Sequence, residues 1–298
     1  DFREIIMNVL VTGSTGFLGS YFMNKFNKKF NILHGLSRRE QKQKDRFSVK
    51  LSQNKKLEKL FLNHKYDVVI HLGATSKEKT KIQMLKENCY TTENLLQCCI
   101  KNNVKKIIFA SATVIYDKAH YLPIDEIHPK RAKTNFIYSK IINEKICESY
   151  RTKYGIKVIV LRISSVYGPG QLEKFVIPTL IRNAVKNNAI TLHKYQNGFQ
   201  LMDFIHVDDV CNAIMLSCGT KINSGIYNIA SGNTITVKQI GNLLRNILKI
   251  KSIIIKEIKS ETEHYFYDIS LAKKELKFLP KMKFNEKTIK DIIHYYNY

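Results

Sequence analysis

The sequence lacks the features that mark a membrane-spanning, zinc-binding or hydrolytic protein. No uninterrupted apolar run reaches the roughly 18 residues that a transmembrane helix needs, so we expect no membrane association. The six cysteines form no Cys-x-x-Cys pair and have no histidine at zinc-ligand spacing, and no Gly-x-Ser-x-Gly elbow occurs. Because the cysteines lie in apolar segments, we expect small core residues in a reducing, cytoplasmic compartment. The segment ahead of Met7 lacks the hallmarks of a secretory signal, and we interpret it as a leader or as a remnant of an expression tag.

Acidic residues are scarce, with 25 Asp and Glu against 49 Lys and Arg, for a formal net charge of +24. Such an excess favours anionic ligands, and lysine-rich surfaces bind nucleic acids through their phosphates. Here the lysines are spread almost evenly and greatly outnumber the arginines, without a dense basic block or an aromatic ladder. We therefore expect a solvated basic surface and no nucleic-acid partner.

Short apolar runs alternate with segments of helical period, which is the pattern of repeated β-α units. The predicted strands are residues 5–11, 31–36, 67–72, 106–110 and 157–162. The predicted helices are residues 17–26, 84–102, 135–154, 178–186, 208–218, 237–248 and 285–296. Thr236 and Gln239 fit a capping box at the start of the helix at Val237. Because the runs are apolar throughout, helices should cover both faces of a parallel sheet.

The β-α rhythm loosens after Gly168-Pro169-Gly170, where we place the domain change. The predicted fold is α/β: a doubly wound parallel Rossmann sheet in residues 7–170, with a smaller mixed α/β substrate domain in residues 171–298. Some elements of the second part should return to the first.

A three-glycine turn joins the first predicted strand to the first helix. Gly13, Gly16 and Gly19 have Gly-x-x-Gly-x-x-Gly spacing. Gly13 permits a tight turn, Gly16 lets backbone N–H groups approach a pyrophosphate, and Gly19 lets the helix lie close to the strand. Because the turn follows a strand and precedes a helix, it predicts dinucleotide binding at the helix N-terminus.

The end of the second strand carries Ser37, Arg38 and Arg39, where sites that prefer NAD commonly place an acidic residue. A hydroxyl and two guanidinium groups suit the 2′-phosphate of NADP instead. We therefore predict NADP as the preferred cofactor, with NAD as the alternative. In that alternative, Arg38 and Arg39 are two more exposed cations of a basic protein.

The chain resembles the extended short-chain dehydrogenase/reductase family, in its nucleotide-sugar epimerase, dehydratase and ketoreductase branch. The resemblance runs from Met7 to the C-terminus and is carried by six ordered blocks. These are residues 12–19, residues 67–74, Asn88, Ser139-Lys140 with Glu144, Arg162 with residues 166–170, and residues 203–210.

The resemblance implies a nucleotide-diphosphate sugar held between the two parts of the chain, with hydride moving between the nicotinamide ring and a sugar carbon, commonly C4. It also implies a homodimer that pairs through helices 84–102 and 135–154, whose apolar residues include Leu95, Leu96, Ile141 and Ile142. Arg162 is then structural, and residues 175–177 resemble the stretch that lines the sugar-nucleotide cleft. The cofactor contacts that the resemblance and the glycine turn imply are Gly13, Ser14, Thr15, Gly16, Phe17, Leu18, Gly19, Ser37, Arg38, Arg39, Leu72, Gly73, Ala74, Ala110, Lys140, Ser164 and Val166.

The catalytic residues that the resemblance implies are Lys140 with Ser111 and Thr113, but the sequence departs from the family pattern beside them. The family tyrosine belongs four residues before Lys140, where Phe136 stands, and a phenyl ring has no proton to exchange. Tyr138 lies about 200° from Lys140 around a helix and serves only if that helix starts late or deforms.

Two further positions differ from the family. An ungapped match puts Ala112 at the Ser/Thr position, and a shift of one residue restores Ser111. Met202 replaces an arginine before Asp203.

We predict no metal site at His206, Asp208 and Asp209, because their spacing provides neither a helical ligand pair nor a fourth donor. The two aspartates instead suit the start of the next helix.

The sequence thus predicts an NAD(P)-dependent enzyme acting on a nucleotide sugar, with 4-keto reduction ahead of epimerisation or dehydration. The alternative is a catalytically impaired dinucleotide-binding regulatory or partner protein, because Phe136 replaces the family tyrosine.

Overall fold

The computed structural model describes residues 5–39, 43–77, 79–219 and 221–296. Residues 1–4 of the segment interpreted as a leader, and the last two residues of the second predicted domain, lie outside that description. The strands are β1 Ile5–Thr12, β2 Phe30–Ser37, β3 Arg46–Ser48, β4 Val68–His71, β5 Lys106–Ala112, β6 Lys157–Ile163, β7 Ser165–Tyr167, β8 Ala189–Tyr195, β9 Gly198–Phe199, β10 Leu201–Met202, β11 Phe204–His206, β12 Gly225–Ile229, β13 Ile235–Thr236 and β14 Ser252–Glu257. The α-helices are α1 Phe17–Lys25, α2 Asn54–His64, α3 Lys81–Met84, α4 Thr91–Lys101, α5 Asn135–Tyr154, α6 Val176–Asn187, α7 Val207–Gly219, α8 Val237–Leu248 and α9 Glu286–Tyr295.

A seven-stranded parallel sheet forms the centre of the molecule, in the order β12-β6-β5-β4-β1-β2-β3. All five predicted strands belong to it, with ends that move by one or two residues. β2 pairs with one side of β1, and β4 pairs with the other side of β1. The order of the strands therefore reverses at β1. The carboxyl ends of β1 and β4 therefore flank the crevice where open α/β sheets bind ligands.

Helices cover both faces of this sheet, so the predicted doubly wound α/β fold is confirmed. α1 and α7 enclose one buried apolar layer, which includes Phe22, Met23 and Val210. α2, α4 and α5 enclose the other, which includes Phe61 and Cys147. α2 and β3 were missed, since short or lysine-rich segments carry a weak periodic signal.

The predicted helix 84–102 is wrong as one regular helix. A capping box of Thr80 and Gln83 starts α3, a π-helical turn occupies Leu85–Tyr90, and only then does α4 begin. By contrast, α5 and α8 have the predicted bounds, and the predicted capping box at Thr236 is present.

The interface role proposed for Leu95 and Leu96 is also wrong. Both side chains are fully buried in the core layer of their own chain. Ile141 and Ile142, on α5, are only half-buried.

The second half of the chain forms a smaller mixed α/β layer. β8 pairs in parallel with β14 and antiparallel with β9, and α6, α8 and α9 share an apolar cluster around Tyr167. β12 returns to the central sheet beside β6, and α7 packs with α1. The boundary at residue 170 stays a prediction. Among the described residues, every helix is too short or too polar to cross a membrane.

Candidate functional site

The glycine turn ties the ends of three strands together. Gly13 has φ +72°, and its N–H donates to the carbonyl of Leu36, at 2.9 Å. A Cβ on Gly13 would lie 2.7 Å from the backbone nitrogen of Gly73, and one on Gly19 would overlap the Gly13 carbonyl. Only glycine fits both positions, because the backbones of β1, β4 and α1 approach each other directly.

A cavity of about 1110 Å³ opens beside this turn, at the carboxyl ends of β1, β2 and β4. Its wall includes predicted cofactor residues, namely Gly13, Thr15, Gly16, Phe17, Ser37, Arg38, Arg39, Leu72, Gly73 and Ala74. Ser14 is buried, Leu18 packs into the core and Gly19 lies against Gly13, so these three residues support the wall from behind. The first turn of α1 faces the cavity with Phe17 and Ser20 and contains no acidic residue, which favours an anion there.

The far end of the cavity carries charges of both signs. The Ser37 hydroxyl donates to the Arg39 carbonyl at 2.8 Å and accepts from the Arg39 N–H at 3.1 Å, which fixes the turn after β2. Lys50 lies on the same wall. Across the cavity, the carboxylate of Glu87 is 3.6 Å from the Arg38 guanidinium. Glu87, which lies in the π-helical turn, was not predicted from the sequence.

A hydrogen-bond chain runs under the cavity floor. The Gly73 N–H donates to the Thr12 hydroxyl, which lies 2.6 Å from Nδ1 of His71. On the other side, Nε2 of His71 lies 2.9 Å from the Thr92 hydroxyl, which donates to the Asn88 carbonyl. Because the Thr92 proton is committed to Asn88, Nε2 must donate and Nδ1 must accept. This network, also missed from sequence, holds β1, β4 and α4 in register around a neutral His71.

His71 remains neutral because it is fully enclosed. Burial, together with the positive charge of Lys140, lowers the pKa of His71 to about 3. The Asn88 side chain continues this hydrogen-bond chain. Its amide oxygen accepts from the Thr75 N–H, and its amide nitrogen donates to the Thr75 carbonyl and to the Ser139 hydroxyl. The loop after β4 is therefore fixed to α5.

Lys140 is buried beside the end of β5. Its ammonium donates to the Ala110 carbonyl at 2.6 Å and lies 5.0 Å from the centre of the Phe109 ring. Burial lowers the pKa of Lys140 to about 8, against a smaller opposing effect of the Glu144 carboxylate. The ammonium thus gives up its proton within an accessible pH range.

Phe136 lies one helical turn before Lys140, with the ammonium 5.9 Å from its ring centre. α5 is regular from its first residue, with Thr134 as N-cap, so neither a late start nor a deformation occurs. Tyr138 consequently points elsewhere, with its ring 4.1 Å from the ammonium of Lys81. The position that faces Lys140 is therefore occupied by a phenyl ring.

Ser111 and Thr113 are both buried and engaged with other side chains. The Ser111 hydroxyl donates to Glu144 at 2.7 Å, and Glu144 forms a two-point ion pair with Arg162. Burial opposes the charge of Glu144, but Arg162, Ser111 and Lys130 outweigh it and hold its pKa below the usual range. Thr113 hydrogen-bonds the hydroxyl of Tyr267. Arg162 is 1% exposed, in agreement with a structural role.

Of the remaining predicted residues, Ser164 and Val166 directly follow β6, and the others lie on later elements. Ser164 is buried, with its N–H donating to the Ile229 carbonyl, and Val166 packs against the core from β7. Asp203, next to Met202, accepts hydrogen bonds from Ser231 and Gly232. Of residues 175–177, Ile177 is buried, while Val176 lines a second cavity of about 150 Å³.

Asp208 and Asp209 lie in the first turn of α7, as expected for a helix start. Asp208 pairs with Lys25 of α1 at 2.6 Å. Asp209 accepts the N–H groups of Lys281 and Met282 and so fastens a C-terminal loop. Within the described parts of the chain, no three His, Cys, Asp or Glu side chains come together to hold a metal ion.

The fold and the glycine-lined cavity define a dinucleotide-binding protein of the Rossmann type, and comparison with known proteins identifies its family. The model of the NAD dependent epimerase/dehydratase family matches residues 9–230. The chain therefore belongs to this family, and the predicted resemblance to extended short-chain dehydrogenases is confirmed. Its homologues are enzymes named as epimerases and dehydratases.

Three similar proteins show the extent of the similarity. A putative UDP-glucose 4-epimerase of Methanocaldococcus jannaschii is 28% identical over 90% of this chain and 91% of its own length. The crystal structure of a UDP-glucose 4-epimerase from Thermotoga maritima, with UDP-glucose, is 26% identical and has a TM-score of 0.86, covering 98% of this chain and 99% of that one. A UDP-N-acetylglucosamine 4-epimerase from Methanobrevibacter ruminantium, covering 98% of each chain, has a TM-score of 0.87 at 22% identity and supports the fold alone.

Proposed function

We propose that this protein binds NADP or NAD in the large cavity and uses it to transfer hydride to or from a nucleotide-diphosphate sugar. Of the reactions in that class, we propose 4-keto reduction first, with epimerisation and dehydration as the alternatives. The observation that carries the proposal is the cavity at the ends of β1 and β4, floored by glycines that leave no room for a Cβ. The Thermotoga relative, described with UDP-glucose, supports the sugar-nucleotide part.

The cavity wall fits a dinucleotide by its chemistry. The N-terminus of α1 and the backbone at Gly13 and Gly16 suit a pyrophosphate, since the close backbone approach and the helix dipole favour negative charge. Arg38 and Arg39 support NADP as the preferred form, because guanidinium groups bind a 2′-phosphate in a fork geometry. NADPH suits a net reductive step, whereas an epimerase recycles a bound NAD, which is why ketoreduction is placed first.

The chain's own residues would position the sugar and handle the proton. A bound nicotinamide supplies or accepts the hydride. Lys140 holds a proton at Nζ beside the Ala110 carbonyl and releases it near pH 8. Ser111 and Thr113 are the proposed hydroxyl groups for the reacting oxygen, and each must first give up its present partner. Since Phe136 has no exchangeable proton, the proton must reach the sugar oxygen through water or from the substrate itself.

A second candidate function is a dinucleotide-binding regulator or partner protein with impaired turnover. The observation that favours it is Phe136, which stands one turn from Lys140 in a regular helix, where the family reaction uses a tyrosine. This alternative requires the cavity to bind cofactor and no sugar substrate to be converted.

We also propose a cytoplasmic homodimer. Six free, buried thiols support a reducing compartment. The dimer is expected to pair through the outer surfaces of α4 and α5, where Ile141 and Ile142 are half-buried.

The deciding experiment has two stages. Binding of NADPH and NADH is measured by the change in nicotinamide fluorescence, and stopped-flow absorbance then follows NADPH with a panel of nucleotide 4-keto sugars. Tight NADPH binding with turnover supports the enzyme. Tight binding without turnover of any sugar supports the regulator, and no binding of either cofactor refutes the proposal.

A further inference from the structure

Glu87 lies on the cavity wall between two cations from different parts of the chain. Its carboxylate is 3.6 Å from the Arg38 guanidinium, which belongs to the turn after β2. Its other oxygen contacts the ammonium of Lys79, which precedes the N-cap of α3. The Arg38 side chain is mostly exposed and those of Glu87 and Lys79 are 30% exposed, but the Glu87 oxygen that faces Arg38 is itself buried and has no hydrogen-bond partner.

The π-helical turn decides where Glu87 points. A turn of this kind contains an extra residue, which displaces backbone carbonyls from the regular helical pattern. Here the Thr91 hydroxyl donates to the Glu87 carbonyl at 2.7 Å, and the Thr92 hydroxyl donates to the Asn88 carbonyl at 2.6 Å. These hydroxyls stabilise the wide turn, from which the Glu87 side chain extends to Arg38 at the end of β2 and to Lys79.

The acidic group that the end of β2 lacks is therefore supplied from across the cavity. We infer that Glu87 reduces the preference of the cavity for NADP over NAD, by holding Arg38 away from a 2′-phosphate and by repelling that phosphate. This inference deepens the proposed function and rests on it, because it requires the adenosine ribose to lie at the Arg38 end of the cavity.

The competition follows from the charges alone. A 2′-phosphate carries more negative charge than the Glu87 carboxylate and attracts the same guanidinium, so Arg38 exchanges one partner for the other. Lys79 stays on Glu87 and compensates its charge when Arg38 leaves. NAD has no 2′-phosphate and gains nothing from such an exchange. Glu87 thus weakens NADP binding while leaving NAD binding nearly unchanged.

The test compares wild type, Glu87→Gln, Arg38→Gln and the double variant, with the Kd of NADPH and of NADH measured by nicotinamide fluorescence. Glu93→Gln is the matched control, because it removes one negative charge from the same cavity wall six residues further on. For Glu87→Gln we expect a fall of about five- to tenfold in the Kd of NADPH and a change below about twofold for NADH, the scale of an exposed ion pair plus a nearby charge.

Arg38 must mediate a large part of the effect. With Arg38→Gln as the background, the gain from Glu87→Gln should fall to about twofold, since only the direct repulsion remains. An unchanged NADPH to NADH ratio in Glu87→Gln, with both cofactors still bound, overturns the inference and leaves the proposed function standing. An equal shift in Glu93→Gln also overturns it, because the effect is then one of general charge. Failure of every variant, including wild type, to bind either cofactor refutes the proposed function itself.

Discussion

At the scale of single residues, the proposed site combines a buried lysine with a phenylalanine one helical turn before it. Lys140 is buried, and that burial lowers its pKa to about 8. The Phe136 ring, whose centre lies 5.9 Å from the Lys140 ammonium, has no hydroxyl. The sequence already indicated the missing hydroxyl. The regular start of α5 adds that Tyr138, beside Lys81, does not take its place.

Restoring that hydroxyl is the first prediction. Phe136→Tyr places a phenol one turn from Lys140, whose positive charge lowers the phenol pKa, so hydride transfer should rise by about 10²- to 10⁴-fold. Stopped-flow absorbance of NADPH with nucleotide 4-keto sugars measures the rate. Tyr138→Phe serves as control and should leave the rate unchanged, and Lys140→Ala should remove the gain. Equal rates for wild type and Phe136→Tyr, with cofactor bound, contradict this placement of the site.

The second prediction concerns acid stability and His71. Its pKa is about 3 in the folded state and about 6.5 in the unfolded chain, so the unfolded state binds more protons between these values. Stability from a neutral His71 is therefore full above about pH 6.5 and falls with acid, by about 3 kcal/mol at pH 4. Urea unfolding of wild type and His71→Gln from pH 7.5 to pH 4 measures this difference. His193→Gln, at an exposed histidine, is the control and should lose stability with acid as the wild type does. If wild type and His71→Gln lose the same free energy of unfolding between pH 7.5 and pH 4, His71 is not the group responsible.

At the scale of elements, sequence patterns located the glycine turn, five strands of the sheet and most helices. They failed where helical geometry is irregular, because apolar periodicity does not distinguish a π-helical turn from a regular helix. The consequence reaches the site, since that turn sends Glu87 into the cavity and fixes Asn88 beneath it. Leu95 and Leu96 show a related limit, because an apolar stripe does not reveal whether a sheet or a second subunit covers it.

The glycine turn gives the third prediction. Gly13 and Gly155 both have positive φ, of 72° and 71°, but a Cβ meets backbone only at Gly13. Gly155→Ala should lower the free energy of unfolding by about 1–2 kcal/mol, the cost of a left-handed alanine. Gly13→Ala should cost more and also weaken cofactor binding, because the loop at Gly73 must move. Calorimetry of unfolding and of NADPH binding separates the two effects. Equal costs in both variants would show that the contact with Gly73 relaxes freely.

At the scale of the whole molecule, the main feature is that elements from the second half of the chain pack against the sheet and helices of the first half. β12 lengthens the sheet beside β6, and Asp208 of α7 pairs with Lys25 of α1. The late segments therefore stabilise the sheet whose carboxyl-terminal end carries the large cavity, and the two predicted parts share one core layer.

The fourth prediction tests the proposed homodimer. Ile142→Glu places a charge on the outer surface of α5 and should convert dimers into monomers, since an isologous contact meets the same change twice. Leu62→Glu, on the exposed surface of α2, is the matched control. Sedimentation equilibrium at micromolar concentration, with circular dichroism to confirm folding, measures the outcome. A monomeric wild type would refute the dimer.

The sequence alone determined the class of fold, the dinucleotide turn and the absence of a hydroxyl at Phe136. These depend on local signals: strand and helix periods, glycine spacing and the identity of one residue. Only the tertiary structure decided that His71 is neutral, that the Ser111 hydroxyl donates to Glu144 and that Arg38 faces Glu87. Those outcomes depend on burial and on distances between residues far apart in the chain, which set pKa values and hydrogen-bond partners and which sequence spacing does not encode.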